Sequence, residues 1–370
     1  MQLGVAAAQA ALRDAELDWR RVQMLSCGGA ARCGSLGHLA ASAIAESLGW
    51  QGAELRTSSA GCVSAAHALS VARDSILSGR IDVALVLGAD VVPPGVLAPE
   101  SMNHPSDPNH LRYSLGLTNP VYLGLEARRR FSLYGTTEED LDLVKVKNAR
   151  HGSLNPNARY RFKVEARQVR SSPLVADPLR LFHICATSDG AAAVVVSSIG
   201  FAKAQCRPFV FLAGISTASS TYPNPELEMG YLATDPIYPD RGQSFKTAMI
   251  TTLYEQTGVG PQDLSCAEVY DLSSASELDW YERLGLCPRG AAERLLREGD
   301  SSLGGRIPVN LSGGLASMGE AIAAQPLAQV CEITSQLRGH AAARQVANAS
   351  VGIAVSQATF GLGAAIMLKR

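Results

Sequence analysis

The stretch TSSAGCVSAAHAL, residues 57–69, decides how this chain is read. Small, turn-forming residues lead to Gly61 and Cys62, and the residues beyond them read as a helix that Gly79 closes. A cysteine at a helix start meets unpaired backbone N–H groups and the positive end of the helix dipole, and both favour thiolate. Free cysteine is also among the most buried residue types, and the neighbours here are small and apolar. The local residues therefore leave two readings open, a nucleophile or a core thiol.

Working outward, the segment after this helix contains DVALVLGAD (82–90), continuous, apolar and β-branched, as a strand buried on both faces should be. Upstream, LGVAAAQAALRDAELDWRRV (3–22) and HLAASAIAESLGW (38–50) carry apolar residues at helical spacing. Helices alternating with strands predict an α/β layered fold. Residues 97–180 differ, with many prolines, three of the seven histidines and the basic run EARRRF (126–131). They read as an inserted lid rather than core, with one acid-led helix in TTEEDLDLVKVKNARHGSLNPNARYRF (136–162) followed by loops. ATSDGAAAVVVSS (186–198) returns to buried-strand composition.

The second half repeats this logic. PFVFLAGIS (208–216) and CAEVYDL (266–272) read as strands, and VNLSGGLASMGEAIAAQPLAQVCEITSQLRG (309–339) as strand, glycine turn and helix. VGIAVSQATFGLGAAIMLKR (351–370) reads as two strands around a glycine turn. SSAGCVSAAHAL and LSGGLASMGEAI are then equivalent corners of two related halves, 1–200 and 206–370, and such corners are where α/β folds place chemistry.

Composition narrows the function. The chain has 370 residues, is 46% hydrophobic and 18% charged, and its net charge of −1 makes no electrostatic case for nucleic acid or an anionic membrane surface. No apolar run is long enough to span a bilayer and no signal-peptide pattern opens the sequence, so the expected compartment is the cytoplasm. The eight cysteines are scattered and read as reduced thiols, without a structural zinc site. GLGAA lacks the context of a dinucleotide fingerprint, which excludes nicotinamide and flavin binding.

The segment from Cys62 through SGRIDVALVLGAD resembles the nucleophile segment of thiolases. PLRLFHICATSDGAAAVVV (178–196) resembles the end of their N-terminal half, and AEVYDLSSASELDWYERLGLCPRG (267–290) with residues 309–339 resembles their C-terminal half. GLCPRG and LNPNARYR (154–161) look most like the sterol-carrier-protein-type thiolases and their bacterial lipid-transfer-protein relatives. The resemblance covers nearly the whole chain. It implies a thiolase fold, a homodimer, coenzyme A thioesters as substrate with no permanently bound cofactor or metal, and a small OB-fold, zinc-ribbon protein as a possible partner.

Four departures accompany it. Thiolases begin with a strand before the first helix, which is missing here, so either the natural chain starts earlier or a sheet edge is bare. The family's Gly-His-Pro segment matches Gly319, Glu320 and Ala321. Ala358 stands where the final glycine loop carries cysteine or histidine, and a motif that begins with Asn or His in the family reads Tyr270-Asp271-Leu272-Ser273. The nucleophile position is kept while three partner positions have changed.

Acylation of Cys62 needs only a thiolate and oxyanion donors, for which the glycine turns at Ser312, Gly313, Gly314 and at Gly361, Gly363 are the candidate binding elements. Alanine at 358 transfers no proton, so ordinary thiolysis or Claisen condensation is not expected. Glu320, placed about two turns into a helix or just before a kink, is the candidate general base for the acceptor, and Tyr270 a candidate phenolic donor. Each has a bland alternative, a cap or salt bridge for Glu320 and space-filling for Tyr270. His67 lies about 140° around the helix from Cys62 and cannot share its pocket. His38 can approach from the side, and His104, His110 and His151 read as solvated loop or pocket mouth. EARRRF reads as a solvated face or a contact for coenzyme A phosphates. The expected activity is acyl transfer through Cys62 to an acceptor other than an acyl-CoA enolate, such as an activated ring. Its rivals are a retro-aldol lyase using Tyr270 and a non-catalytic scaffold.

Overall fold

The structure, a computed structural model, describes residues 1–29, 40–92, 118–219, 244–358 and 361–370. In the first half β1 (Met24–Gly28), β2 (Glu54–Ser58) and β3 (Val83–Asp90) run parallel, and β6 (Gly190–Ser197) pairs antiparallel with β3, giving the order β2-β1-β3-β6. The register sets Gly28 beside both Ser58 and Gly88, so the strand ends that lead into the corners lie level. One face of this sheet is covered by α1 (Gln2–Asp14) and α2 (Ala40–Leu48), through Ala8, Leu12 and Ile44 against Leu25, Leu85 and Leu87.

The second sheet has the order β7-β10-β9-β8, from β7 (Phe211–Ser219), β8 (Cys266–Glu268), β9 (Val351–Ala358) and β10 (Leu362–Lys369). Its parallel pair β8–β9 and antiparallel pair β9–β10 repeat β1–β3 and β3–β6. In this half β7 flanks β10; among the described residues nothing pairs with the outer side of the equivalent β6. Between the sheets lie α3 (Ser64–Leu77) and, from the second half, the Gln325–Arg338 helix, with Leu69, Leu327, Val330 and Ile333 packed between Met24, Val86, Ala354 and Ile366. The two corner helices thus share the central layer, and the corners open at the junction of the halves.

The insertion between β3 and β6 is more than loops. It holds α4 (Asn119–Tyr134), α5 (Glu138–Ser153), the short α6 (Ala166–Arg170) and a hairpin of β4 (Leu174–Ala176) with β5 (Leu179–Arg180). Thr137 and Asp140 form a capping box at the start of α5, as its acidic first turn foretold. Reading this region as excursion rather than core is corrected by Leu123, Ala127, Leu141 and Val144, which belong to the core that covers the second sheet. That core is completed by α8 (Phe245–Thr257), α9 (Ser274–Arg283) and α10 (Ala292–Arg297), α7 (Ile199–Ala204) being a short turn after β6. Among the described residues no helix is long and apolar enough to cross a membrane.

Candidate active site

β2 ends at Ser58, and the chain turns through Ala60 and Gly61 into a 3-10 turn, Gly61–Val63, that runs on into α3. Gly61 has φ +55°, a left-handed conformation that favours glycine. The Ser64 hydroxyl locks the turn, accepting from the Ala60 N–H at 2.9 Å and donating to the Gly61 carbonyl at 2.7 Å. Cys62 is therefore held half-buried at the positive end of a 14-residue helix. Ala358, at the end of β9, faces this turn, since a Cβ on Gly61 would lie 3.6 Å from its methyl.

Tyr270, fully buried, donates its hydroxyl proton to Glu320 Oε1 at 2.7 Å. The second oxygen of Glu320 accepts from the Cys185 thiol at 3.2 Å. Burial, then the neighbouring Cys62 and Glu320, which also hydrogen-bond the phenol, push Tyr270 well above its usual range, so it is a neutral donor. The Cys185 thiol is raised in the same way, by burial first and then by Glu320. Four groups from four segments thus converge: Cys62, Tyr270, Glu320 and Cys185. Cys185 is the member that sequence reasoning missed, although HICATSDG had been picked out for its resemblance.

Glu320 reaches this place without a helix beneath it. The glycine turn opens only one helical turn, α11 (Gly314–Ser317), so the expected position two turns into a helix is corrected. Gly319 takes φ +100°, and a Cβ there would strike Ser188 Oγ at 2.5 Å. The Glu320 N–H then donates to Ala186 O at 2.7 Å, and Glu320 O accepts from Ser188 N–H at 3.0 Å. Cys185 N–H donates to Leu272 O at 2.9 Å and Ala186 N–H to Leu315 O at 3.1 Å. Residues 185–188 therefore stitch the Tyr270 segment to the Glu320 segment. The helix after them is α12, Gln325–Arg338.

The donors of the Ser312–Gly314 turn have partners within the protein. Ser312 donates from its N–H and its hydroxyl to Glu268, at 3.0 and 2.5 Å, and Gly313 N–H donates to Asn310 O at 2.9 Å. Gly314 N–H donates to Ser312 Oγ at 3.3 Å. Gly361 has φ +73°, and Gly363 lies in the ladder opposite Gln357 and Ala218. Beneath the Ser312 turn α5 lays a buried polar network that the sequence did not reveal. Asp271 accepts from Leu315 N–H at 2.7 Å and Asn148 at 3.1 Å, and Glu277 accepts from Lys147, Asn148 and Asn310 at 2.5, 2.6 and 2.8 Å. Lys145 donates to Ala316 O at 2.6 Å, and burial lowers its ammonium to about 8. Burial and Glu332 push Glu268 up to about 8.

Two model families account for the chain. Residues 1–199 match the thiolase N-terminal domain and residues 244–369 the thiolase C-terminal domain-like family. The chain belongs to the thiolase family. Sterol carrier protein 2 of Oryctolagus cuniculus is 32% identical over 98% of the chain, which spans 66% of that protein's length. An acetyl-CoA acetyltransferase of Methanothermobacter thermautotrophicus is 33% identical, over 80% of this chain and 74% of its own. Among solved structures, an Ltp2-ChsH2(DUF35) aldolase superposes with TM-score 0.82 at 24% identity, covering 100% of this chain and 92% of its own. The Acat5 thiolase of Ascaris suum, in complex with coenzyme A, superposes with TM-score 0.69 at 17% identity, over 100% and 93%. Both structures are likenesses of fold.

The remaining sequence candidates of this thiolase fall as follows. His151 is neither loop nor pocket mouth: it lies buried in α5, its Nδ1 donating to Asn310 O at 3.0 Å while Nε2 accepts from Leu303 N–H at 3.0 Å. Burial, with Lys147 nearby, lowers it to about 4, so it is neutral. His67 is half-buried on α3, and burial lowers it. His38, His104 and His110 lie outside the described residues. In EARRRF the reading as a solvated face holds for Arg128, exposed and paired with Asp177, but not for Arg130, which is buried between Glu282 and Glu293 at 2.8 and 2.7 Å. A different basic run borders the site. Arg159 and Tyr160 bond through their N–H groups to Met318 O and Ser317 O, beside Gly319, and Arg161, Phe162 and Lys163 continue outward, all exposed. Among the described residues none of these three cations forms an ion pair.

Proposed function

We propose that this thiolase is an acyltransferase that loads an acyl group from a coenzyme A thioester onto Cys62 and passes it to a carbon acceptor other than an acyl-CoA enolate. The carrying observation is the bond from Tyr270 to Glu320 beside Cys62. The Cys62 sulfur attacks the thioester carbon, the C–S bond to coenzyme A breaks, and the Cys62 proton leaves with the coenzyme A thiol. Tyr270 and Glu320 relay that proton. An acceptor that carries its own nucleophilic carbon, such as an activated ring, then attacks the acyl-enzyme. It loses its proton to Glu320 and frees Cys62. The cations Arg159, Arg161 and Lys163, with Phe162 exposed among them, suit the phosphates of the donor.

Incubation with a series of acyl-CoA thioesters tests this. Intact mass should show one added acyl group per chain, absent in Cys62→Ala. Glu320→Gln should still give the adduct, though more slowly, and should slow transfer to the acceptor by roughly 10²-fold or more. No adduct across the series refutes it. The Tyr270–Glu320 pair also suits a second reading, retro-aldol cleavage of a coenzyme A thioester side chain, which requires turnover without an acyl-enzyme. A scaffold shows neither. A homodimer and a small OB-fold, zinc-ribbon partner belong to the same proposal. The outer edge of β2, with Arg56 and Thr57 exposed, suits the dimer, for which light scattering should read twice 39.0 kDa.

A further inference from the structure

We propose that Cys185 is a positioning residue: its thiol, donating to Glu320 Oε2, keeps that carboxylate ionised and turned toward Tyr270, and so sets the pH at which Cys62 becomes nucleophilic. This rests on the reading of Glu320 as the proton acceptor of the site. Glu320 is 4% exposed, and burial alone disfavours a charged carboxylate. Among the described residues, the Tyr270 hydroxyl on Oε1 and the Cys185 thiol on Oε2 oppose that cost. The Cys185 thiol cannot wander, because its own N–H is fixed to Leu272 O and the next residue accepts from the Glu320 N–H. The thiol is thus presented to the carboxylate by the same strip that places Glu320.

Among the described residues, the titratable or charged groups near Glu320 include Cys62, felt by both Tyr270 and Cys185, Asp271, felt by Cys185, and Arg159. The Arg159 Cβ lies 3.5 Å from a Cβ built on Gly319, and its guanidinium is occupied by the Thr187 carbonyl. Asp271 opposes an ionised Glu320, and burial with its neighbour Glu277 holds Asp271 well above the usual carboxylate range. A hydrogen bond to the charged form lowers a carboxyl's pKa, so losing the Cys185 donor must raise that of Glu320.

The test uses the whole chain and no acyl donor. The rate of Cys62 alkylation by iodoacetamide is followed from pH 5 to 9 by peptide mass spectrometry, which separates Cys62 from Cys185. Wild type should show an acidic limb that Glu320→Gln abolishes. Cys185→Ala should move that limb up by about half to one pH unit, and Cys185→Ser, whose hydroxyl is the stronger donor, should return it to or below the wild-type position. An unmoved limb in Cys185→Ala, a serine variant that behaves like alanine, or a limb that persists in Glu320→Gln overturns the proposal. If the alanine variant does not fold, the serine limb decides: it must lie at or below wild type. A chain that shows these shifts but never forms an acyl-enzyme refutes acyl transfer and leaves the role of Cys185 standing.

Discussion

The Tyr270 hydroxyl and the Glu320 carboxylate, 2.7 Å apart, join two motifs that lie 50 residues apart in sequence. Their bond is buried, and Cys62 adjoins it. Tyr270→Phe keeps the ring and removes the link. The rate of Cys62 alkylation at pH 7 should fall about tenfold or more. Melting should show a loss of about 1–3 kcal/mol, because a buried carboxylate oxygen loses its donor.

Ala358 sets a limit on the chemistry. Its methyl stands against the Cys62 turn and can neither take nor give a proton. Coenzyme A and 3-ketoacyl-CoA should therefore give no detectable thiolysis. Turnover at about 1 per second or faster, an ordinary enzymatic rate, would show that another group supplies the proton.

The basic run next to Gly319 yields a prediction about the donor. Arg161→Glu combined with Lys163→Glu should raise KM for an acyl-CoA roughly five- to tenfold at low salt and leave an acyl-pantetheine donor unaffected. The difference should shrink as salt rises. Equal effects on both donors would place the phosphates elsewhere.

His151 makes part of the stability depend on pH. Its folded value, about 4, lies below the ordinary imidazole value of 6.5, so between these limits the unfolded chain binds more protons. Its contribution is complete above pH 6.5 and is lost as pH falls toward 4, amounting to about 3 kcal/mol. Glu268, raised to about 8, acts in the opposite sense between its ordinary value and 8, so the comparison must be between variants. Denaturant melts of wild type and His151→Gln from pH 7.5 to 4.5 should show a flatter acid dependence in the variant.

Arg130 ties the insertion to the second half. Arg130→Met leaves Glu282 and Glu293 without their shared cation in a buried site, which should cost about 3–5 kcal/mol in urea melts. A phosphate-binding role would instead raise KM with stability unchanged.

The sequence by itself determined the layered halves and the corner at Cys62. Strands such as Val83–Asp90 and helices such as Ser64–Leu77 are written in local periodicity and turn residues, which act over a few positions. It also supplied Glu320 and Tyr270 as anomalies at positions resembling a known pattern. Tertiary structure decided what they do. Cys185 meets Glu320 across 135 residues, and His151 leaves solvent because α5 lies under the Ser312 turn. The polar face of α5, with Lys145, Lys147, Asn148 and His151, has the pattern of a solvated surface. Periodicity reports which face differs, and only packing tells whether water or a buried network of carboxylates and carbonyls lies against it.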